Sequence, residues 1–291
     1  MKNSLALGTF DGLHIGHQKV INITKRPDYA PHILQFSHHV KRNMKKAPHS
    51  LLLSTTMKQQ LLADMELCPV TVDFGCVKDL SPEEFVESFI VGCVNAKLVS
   101  VGENFVFGAN RSGNVDTLRA LCDKHEIELV VSDMVEYEGE IVSSTKIREK
   151  LVNGDIQAAN AMLGRPFAYD FLVIDGKKRG RVIGIPTINQ VFPTYFTMPK
   201  FGVYASRITI KGRHYKGITN IGNSPTFHSS KLLSETHIIG YKGNLYGKYP
   251  KVELIGFIRD IHRFEYPEQL LEQIEKDKEI LNGFVEMGLY N

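Results

Sequence analysis

Gly8-Thr9-Phe10-Asp11-Gly12-Leu13-His14-Ile15-Gly16-His17 follows the short apolar run Ser4-Leu5-Ala6-Leu7. A strand that runs into a glycine-rich turn and then a helix offers a ligand the backbone N–H groups that the first helical turn leaves without partners. Gly8, Gly12 and Gly16 let main chain approach that ligand closely. His14 and His17, three residues apart on one helical face, can both point at one site. The stretch therefore predicts a phosphate-binding corner and nucleotide chemistry. An ordinary βα turn that holds Gly and His is the plain alternative. Zinc is another, but two histidines without a third ligand nearby are too few for it.

Outward from this corner, residues 1–150 alternate β-prone runs (Leu5–Leu7, His32–Phe36, Val70–Phe74, Ala96–Val101, Leu129–Val135) with helical stretches (Thr56–Met65, Pro82–Val91, Val115–His125). Ser81-Pro82-Glu83-Glu84 supplies an N-cap, a first-turn proline and two acidic first-turn residues. Such alternation predicts a doubly wound, Rossmann-like parallel sheet whose ligands sit at the carboxyl ends of the strands. Around 154–168 the character changes. The runs Phe171–Ile174, Val203–Ile210, His214–Thr219, Thr236–Ile239 and Val252–Ile258, separated by Lys211-Gly212 and Lys242-Gly243-Asn244, predict a small antiparallel β-barrel. A terminal helix over Pro267–Leu281 follows, with Leu270, Ile274 and Leu281 on one face. The expected architecture is α/β plus all-β, with domains at 1–160 and 161–291.

The chain has 291 residues, 43% hydrophobic and 23% charged, with a net charge of +3. That charge is too small for a nucleic-acid footprint over the whole surface. Residues 1–150 carry 17 Lys+Arg against 19 Asp+Glu, and 151–291 carry 18 against 13, a bias that suits anionic small ligands. No apolar run of membrane-spanning length and no signal peptide occur, so a cytoplasmic protein without a membrane partner is expected. Cys68, Cys76, Cys93 and Cys122 form no CxxC pair, which argues against a disulfide framework or structural zinc; reduced core or boundary positions are expected.

Three further segments of the first half fall at the ligand edge of the sheet. Val142-Ser143-Ser144-Thr145-Lys146-Ile147-Arg148 begins a helix that Gly154 can close, and its hydroxyls, N–H groups and basic residues make a second anion site or an ordinary N-cap. Asn104, in Gly102-Glu103-Asn104-Phe105-Val106-Phe107-Gly108, can hydrogen-bond a ligand, and the aromatics can stack on a flat ring or fill the core. Phe36-Ser37-His38-His39-Val40 brings two more histidines. In this order and spacing the segments resemble the adenylyltransferase module of bacterial bifunctional riboflavin kinase/FMN adenylyltransferases, the FAD synthetases. That resemblance implies conversion of FMN and ATP to FAD and pyrophosphate. It implies that His14, His17, Ser143, Ser144, Thr145 and Arg148 bind ATP phosphates and stabilise the transition state, with the Gly8–Gly12 turn and Gly16 beside the nucleotide. His39 and Asn104 match positions near the reacting phosphates and the flavin nucleotide.

In the second half, Gly176-Lys177-Lys178-Arg179-Gly180-Arg181 leads into Pro186-Thr187-Ile188-Asn189. The basic glycine loop can wrap a polyphosphate, and Thr187 and Asn189 can place Mg²⁺ between phosphates. A basic surface hairpin would not account for Pro-Thr-x-Asn. Glu235 is a strand carboxylate able to take a proton from an alcohol, or a surface charge. This half resembles the riboflavin kinase module of the same family, together with 199–205, Asn220-Ile221-Gly222, Pro225-Thr226-Phe227 and Leu245-Tyr246-Gly247. The resemblance implies phosphorylation of riboflavin by Mg-ATP, giving FMN and ADP, with Glu235 as general base.

The chain departs from the family pattern at Ser37 and Val40, where an acid and a proline are usual. In the second half it departs at Phe171 (glycine usual), Gly240 (acid usual) and Ile261, where Arg-x-Glu would follow Arg259 with a carboxylate. None touches Thr187, Asn189 or Glu235. A slower kinase or altered flavin preference is the expectation these changes raise. Two other readings stay open: an enzyme with one working half, the adenylyltransferase, and a flavin-binding regulator without turnover.

Overall fold

Strand β1 (Lys2–Ala6) lies at the centre of a five-stranded parallel sheet ordered β3-β2-β1-β4-β5. The others are β2 (Tyr29–Phe36), β3 (Cys68–Val72), β4 (Ala96–Gly102) and β5 (Glu128–Ser132). The order reverses between β1 and β4, so the turn that follows β1 opens at a topological switch point. The computed structural model describes residues 1–37, 50–176, Gly180, 184–224 and 231–290. These form two units, one of 1–37 and 58–143 and a second of 50–57 and the described residues from 144 to 290.

In the first unit, Leu5, Leu7, Val99 and Val101 on one sheet face pack with Val86, Ile90, Leu118 and Cys122. Helix α1 (Ile15–Asn22) follows β1, α2 (Thr55–Asp64) precedes β3, and α5 (Val115–Lys124) precedes β5. Asp73 ends β3 two residues before the expected limit, because its carboxylate accepts the Gly75 N–H at 2.7 Å and caps the short α3 (Phe74–Val77). The predicted helix start at Ser81 is a reciprocal capping box. Glu84 N–H donates to Ser81 Oγ at 3.1 Å, and Ser81 N–H donates to Glu84 Oε2 at 2.8 Å. From there α4 (Pro82–Phe85) widens into a π-helical stretch over Val86–Cys93. A hairpin of β6 (Glu136–Tyr137) and β7 (Glu140–Ile141) turns at Glu138-Gly139, both at positive φ (50° and 77°) as a type I′ turn requires.

Helix α6 (Ser144–Asn153), which the sequence reading places in the first half, and α7 (Ile156–Leu163), which it does not mark, pack with the second unit. Asn160 ties them there. Its amide donates to the Leu254 carbonyl at 2.9 Å and accepts the Phe167 N–H at 2.7 Å.

The second unit is a seven-stranded antiparallel sheet ordered β8-β14-β11-β12-β13-β10-β9. Its strands are β8 (Phe167–Tyr169), β9 (Val173–Ile174), β10 (Thr187–Val191), β11 (Gly202–Ile210), β12 (Arg213–Ser224), β13 (Lys231–Ile238) and β14 (Lys251–Arg259). Tyr169 on terminal strand β8 hydrogen-bonds Ser234 on β13, four places along the order, at 2.6 Å. Only a strongly curled sheet allows that contact, so the expected barrel is a half-barrel joined across its interior by side chains. Lys211-Gly212 forms the predicted two-residue turn between β11 and β12, with φ of 49° and 76°.

Helix α8 (Pro267–Glu286) runs past the expected limit of Leu281 and covers the outer face. Leu281 and Phe284 pack on Val203, Ala205, Ile218 and Ile255, each worth about 1.5–3 kcal/mol of burial. Gly256 leaves the room: a Cβ there would stand 2.4 Å from the Phe284 ring.

Two expectations are corrected. Phe171 does not extend β9 but joins an aromatic cluster, with ring centroids 5.4 Å from Tyr169, 5.2 Å from Phe192 and 5.0 Å from Phe196. Cys122 is core, whereas Cys68, Cys76 and Cys93 are exposed, and all four are free thiols.

Candidate active sites

The turn after β1 reaches α1 through three left-handed residues, Phe10 (φ 48°), Gly12 (φ 84°) and Leu13 (φ 46°). Phe10 and Leu13 are both 1% exposed. Burial holds them in a conformation that costs about 1–3 kcal/mol each, the kind of strain that collects where main chain is shaped for a ligand. His14 is the N-cap of α1, and its Nδ1 accepts the His17 N–H at 3.3 Å. An acceptor at Nδ1 places the neutral imidazole's proton on Nε2. The two histidine rings stack, centroids 3.5 Å apart and 20° from parallel, and Phe10 meets His17 edge-on at 5.3 Å. Gly16 permits the stack, since a Cβ would lie 3.3 Å from the His14 ring and 3.8 Å from the Val142 carbonyl. Val142, and hence Ser143 after it, runs beside the first turn of α1. Gly8 similarly gives way to the Phe10 ring, 3.0 Å from its absent Cβ. Thr9 is exposed and Asp11 half-buried on the same turn.

Asn104 is exposed just beyond the carboxyl end of β4, in a tight turn closed by the Phe105 N–H to the Gly102 carbonyl at 3.0 Å. Phe107 is core, and Phe105 packs partly buried against that core. His39 lies outside the described residues.

Ser144 and Thr145 open α6, and Arg148 is one turn in. The Arg148 Nε donates to the Ser50 carbonyl at 2.8 Å, which also accepts the Thr197 hydroxyl at 3.1 Å. Part of its guanidinium therefore holds chain 50 in place within the second unit. Gly154, at φ 82°, closes α6 as expected.

Thr187 and Asn189 of the Pro-Thr-x-Asn segment lie on strand β10, which pairs with β13 so that Asn189 faces Glu235 and Thr187 faces His237. On the other side of Glu235 stands Asn220 of β12. Side chains alternate along a strand, so Thr187, Asn189, Asn220 and Glu235 share one sheet face. The sheet thus brings together three residues that the sequence singles out from segments nearly fifty positions apart. Asn189 is 7% exposed, and Gly176 makes way for it: a Cβ at 176 would stand 2.2 Å from the Asn189 amide nitrogen. Gly180 is equally required, with the Ile185 carbonyl 2.2 Å from its absent Cβ, and the Ile185 N–H returns to the Gly180 carbonyl at 2.7 Å. His237 donates from Nδ1 to the Pro186 carbonyl at 2.9 Å, anchoring the entry to β10. Arg179 and Arg181 lie outside the described residues.

A cavity of about 580 Å³ opens beside β10, with Pro186, Thr187, Thr236, Tyr241, Lys242 and Tyr246 in its wall. Asn189 and Glu235 stand outside that wall. Tyr241, Lys242 and Asn244, which the sequence reading does not single out as site residues, also line this cavity. Lys242-Gly243-Asn244 signals only a turn until the fold sets it against β10. No group of three or more His, Cys, Asp or Glu poised for a metal exists among the described residues. The neutral oxygens of Thr187 and Asn189 are nevertheless the donor set that fits Mg²⁺, which keeps several waters and binds chiefly through substrate phosphates.

Residues 1–146 match the FAD synthetase family, and residues 163–285 match the riboflavin kinase family. A bifunctional riboflavin kinase/FMN adenylyltransferase of Bacillus subtilis is 33% identical over 96% of this chain and 91% of its own length. The chain belongs to this bifunctional family. A Haemophilus influenzae member is 32% identical over 97% of this chain and 94% of its own. A crystal structure described as a macrolide-efflux protein from Streptococcus pneumoniae has a TM-score of 0.85 at 26% identity, covering 97% of this chain and 94% of that one. Among the described residues no helix is long and apolar enough to cross a membrane.

The departures from the family pattern are absorbed locally. Ser37 continues the β2–β3 pairing through its N–H to the Val72 carbonyl at 2.9 Å, and Val40 lies outside the described residues. Gly240, at φ 75°, makes the turn that leaves β13, a conformation that disfavours an acidic side chain there. Ile261 packs over Gly222, whose absent Cβ would be 2.8 Å from it.

Proposed function

We propose a residue-level account of how the two halves of this chain carry the two activities of its family. The chain phosphorylates riboflavin to FMN and adenylylates FMN to FAD, with ATP as the donor in both steps. Adenylylation belongs to 1–160 and the kinase to 161–291, both acting in the cytoplasm, where ATP is supplied.

In adenylylation, an FMN phosphate oxygen attacks the α-phosphorus of ATP and pyrophosphate leaves. The nucleophile is already ionised near neutral pH, so the protein's task is alignment and charge stabilisation. His14 supports this reading: as N-cap it offers Nε2–H at the same helix end whose N–H groups attract anions, and His17 stacks on it. Gly8, Thr9, Phe10, Asp11, Gly12 and Gly16 shape the turn around the nucleotide. Ser143, Ser144, Thr145 and Arg148 bind its phosphates, and His39 and Asn104 contact the reacting groups.

In the kinase half, the ribityl 5′-oxygen attacks the γ-phosphorus, its proton passes to the Glu235 carboxylate, and ADP leaves. Thr187 and Asn189 would hold Mg²⁺, which would neutralise phosphate charge when bound. Gly176, Arg179, Gly180, Arg181 and Pro186 form the nucleotide loop. The observation that carries this assignment is the direct cross-strand pairing of Asn189 with Glu235.

Incubation of the pure protein with riboflavin and Mg-ATP, with chromatography of the products, tests it. FMN followed by FAD is expected. Conversion of FMN to FAD without conversion of riboflavin would leave only the first half active, and flavin binding without any product would make the protein a regulator.

A further inference from the structure

Five hydroxyl side chains form a hydrogen-bonded line through the interior of the half-barrel, and all five residues are 0% exposed. Tyr169 Oη lies 2.6 Å from Ser234 Oγ, which lies 3.4 Å from Thr236 Oγ1. Thr236 Oγ1 lies 2.9 Å from Thr219 Oγ1, and Thr219 Oγ1 lies 2.8 Å from Ser206 Oγ. Ser206 Oγ donates to the Gly217 carbonyl at 2.9 Å.

Each hydroxyl has one proton, and the line ends on a carbonyl that can only accept. Ser206 spends its proton on Gly217, so Thr219 donates to Ser206 and Thr236 to Thr219. Tyr169 stands at the other end, bonded to Ser234 and also to Thr236 and Thr219. Burial pushes its acid dissociation well above the ordinary tyrosine range, so it keeps its proton.

Ser234 and Thr236 are the two neighbours of Glu235 in β13. Their side chains point inward into this line while Glu235 projects from the opposite face. Ladder bonds to β10 and β12 fix the strand's register. The hydroxyl line fixes its depth and roll on both sides of the carboxylate. We propose that Tyr169 is a positioning residue for riboflavin phosphorylation, acting through Ser234 and Thr236 to hold Glu235 at its working place. The proposal rests on the reading of Glu235 as the base.

The full-length protein is assayed for both reactions as wild type, Tyr169→Phe, Ser234→Ala, the double variant and Glu235→Gln, below the melting temperature of each. Tyr169→Phe keeps the ring in its aromatic cluster and removes only the hydroxyl that joins Ser234 to the network. Its kcat for FMN formation is expected to fall by between about tenfold and about a hundredfold, the scale of a small misplacement of a reacting group. KM for riboflavin and for ATP should stay within about twofold, and FAD formation from FMN should not change. Ser234→Ala should do the same, and the double variant should lose no more than the worse single one, because both break one line. Calorimetry of each variant, showing the second unit folded at the assay temperature, separates a loss of kinase kcat from a loss of folded protein. Kinase kcat within about twofold of wild type in either single variant, while Glu235→Gln is inactive, overturns the positioning role alone. Full kinase activity in Glu235→Gln overturns the base assignment itself. Should Tyr169→Phe not fold, Ser234→Ala decides between the same outcomes.

Discussion

Arg259 and Asp277 form a two-pronged ion pair between strand β14 and helix α8: Arg259 Nε and Nη2 each lie 2.9 Å from a carboxylate oxygen, and the Asp277 side chain is fully buried. Gln273 supplies a third bond to the same carboxylate at 3.0 Å. The sequence lacks the carboxylate two residues after Arg259 that its relatives' pattern leads one to expect. The helix delivers one from eighteen residues on, while Ile261 turns to cover Gly222.

Replacing Asp277 with Asn should therefore be costly for its size. The substitution keeps the shape but leaves a mostly buried guanidinium without a counter-charge, a loss of about 3 kcal/mol. Calorimetry should show a lower melting temperature for the transition that carries the second unit. An unchanged melting profile would mean that the pair contributes nothing net.

His14→Asn separates the two duties of His14. Asparagine is among the best N-cap residues, so α1 should form as before. The Nε2 donor is lost, and FAD formation from FMN should fall by about 10²–10³, as for removal of one transition-state donor. FMN formation from riboflavin should continue at the wild-type rate. Retention of FAD formation would show that the cap, not the imidazole, is what the site needs.

Gly176→Ala probes the cation site without disturbing the core. The added methyl stands where the Asn189 amide now lies, 2.2 Å away, and that flexible side chain must rotate aside. The melting temperature should change little, while the Mg²⁺ concentration for half-maximal FMN formation should rise by about tenfold or more. A Mg²⁺ titration of initial rates reads this directly.

Much of this was legible in residues whose local chemistry admits one geometry. The Gly8–His17 turn, the Ser81 box and Lys211-Gly212 each encode their own backbone. Strand β10 was not legible as a strand, because Asn189 and Gln190 are adjacent, polar and both buried, so no alternation shows. The Gln190 amide nitrogen donates to distant carbonyls, Phe171 at 2.6 Å and Pro250 at 3.2 Å. The allegiance of α6 and α7 depends on Asn160 meeting Leu254, ninety-four residues away. The half-barrel's polar interior was hidden for the same reason, since Tyr169, Thr219 and Ser234 read singly as unremarkable strand residues.

Glu253 gives the second unit an acid limit. It is buried on β14, which by itself would raise its pKa. The Arg207 guanidinium, with Nε 2.8 Å and Nη2 3.2 Å from its oxygens, and Lys251 at 3.0 Å outweigh that and hold the carboxyl below the usual glutamate range. A carboxyl whose folded value is depressed contributes stability in full above its unfolded pKa, about 4.3. That contribution is lost as pH falls from there through the folded value. The melting temperature of the second unit should therefore be steady from about pH 7 to pH 5 and decline steeply below about pH 4. Glu253→Gln should melt lower at neutral pH and show a shallower decline on acidification, because its side chain no longer titrates. Parallel slopes for wild type and variant would remove Glu253 from the acid response.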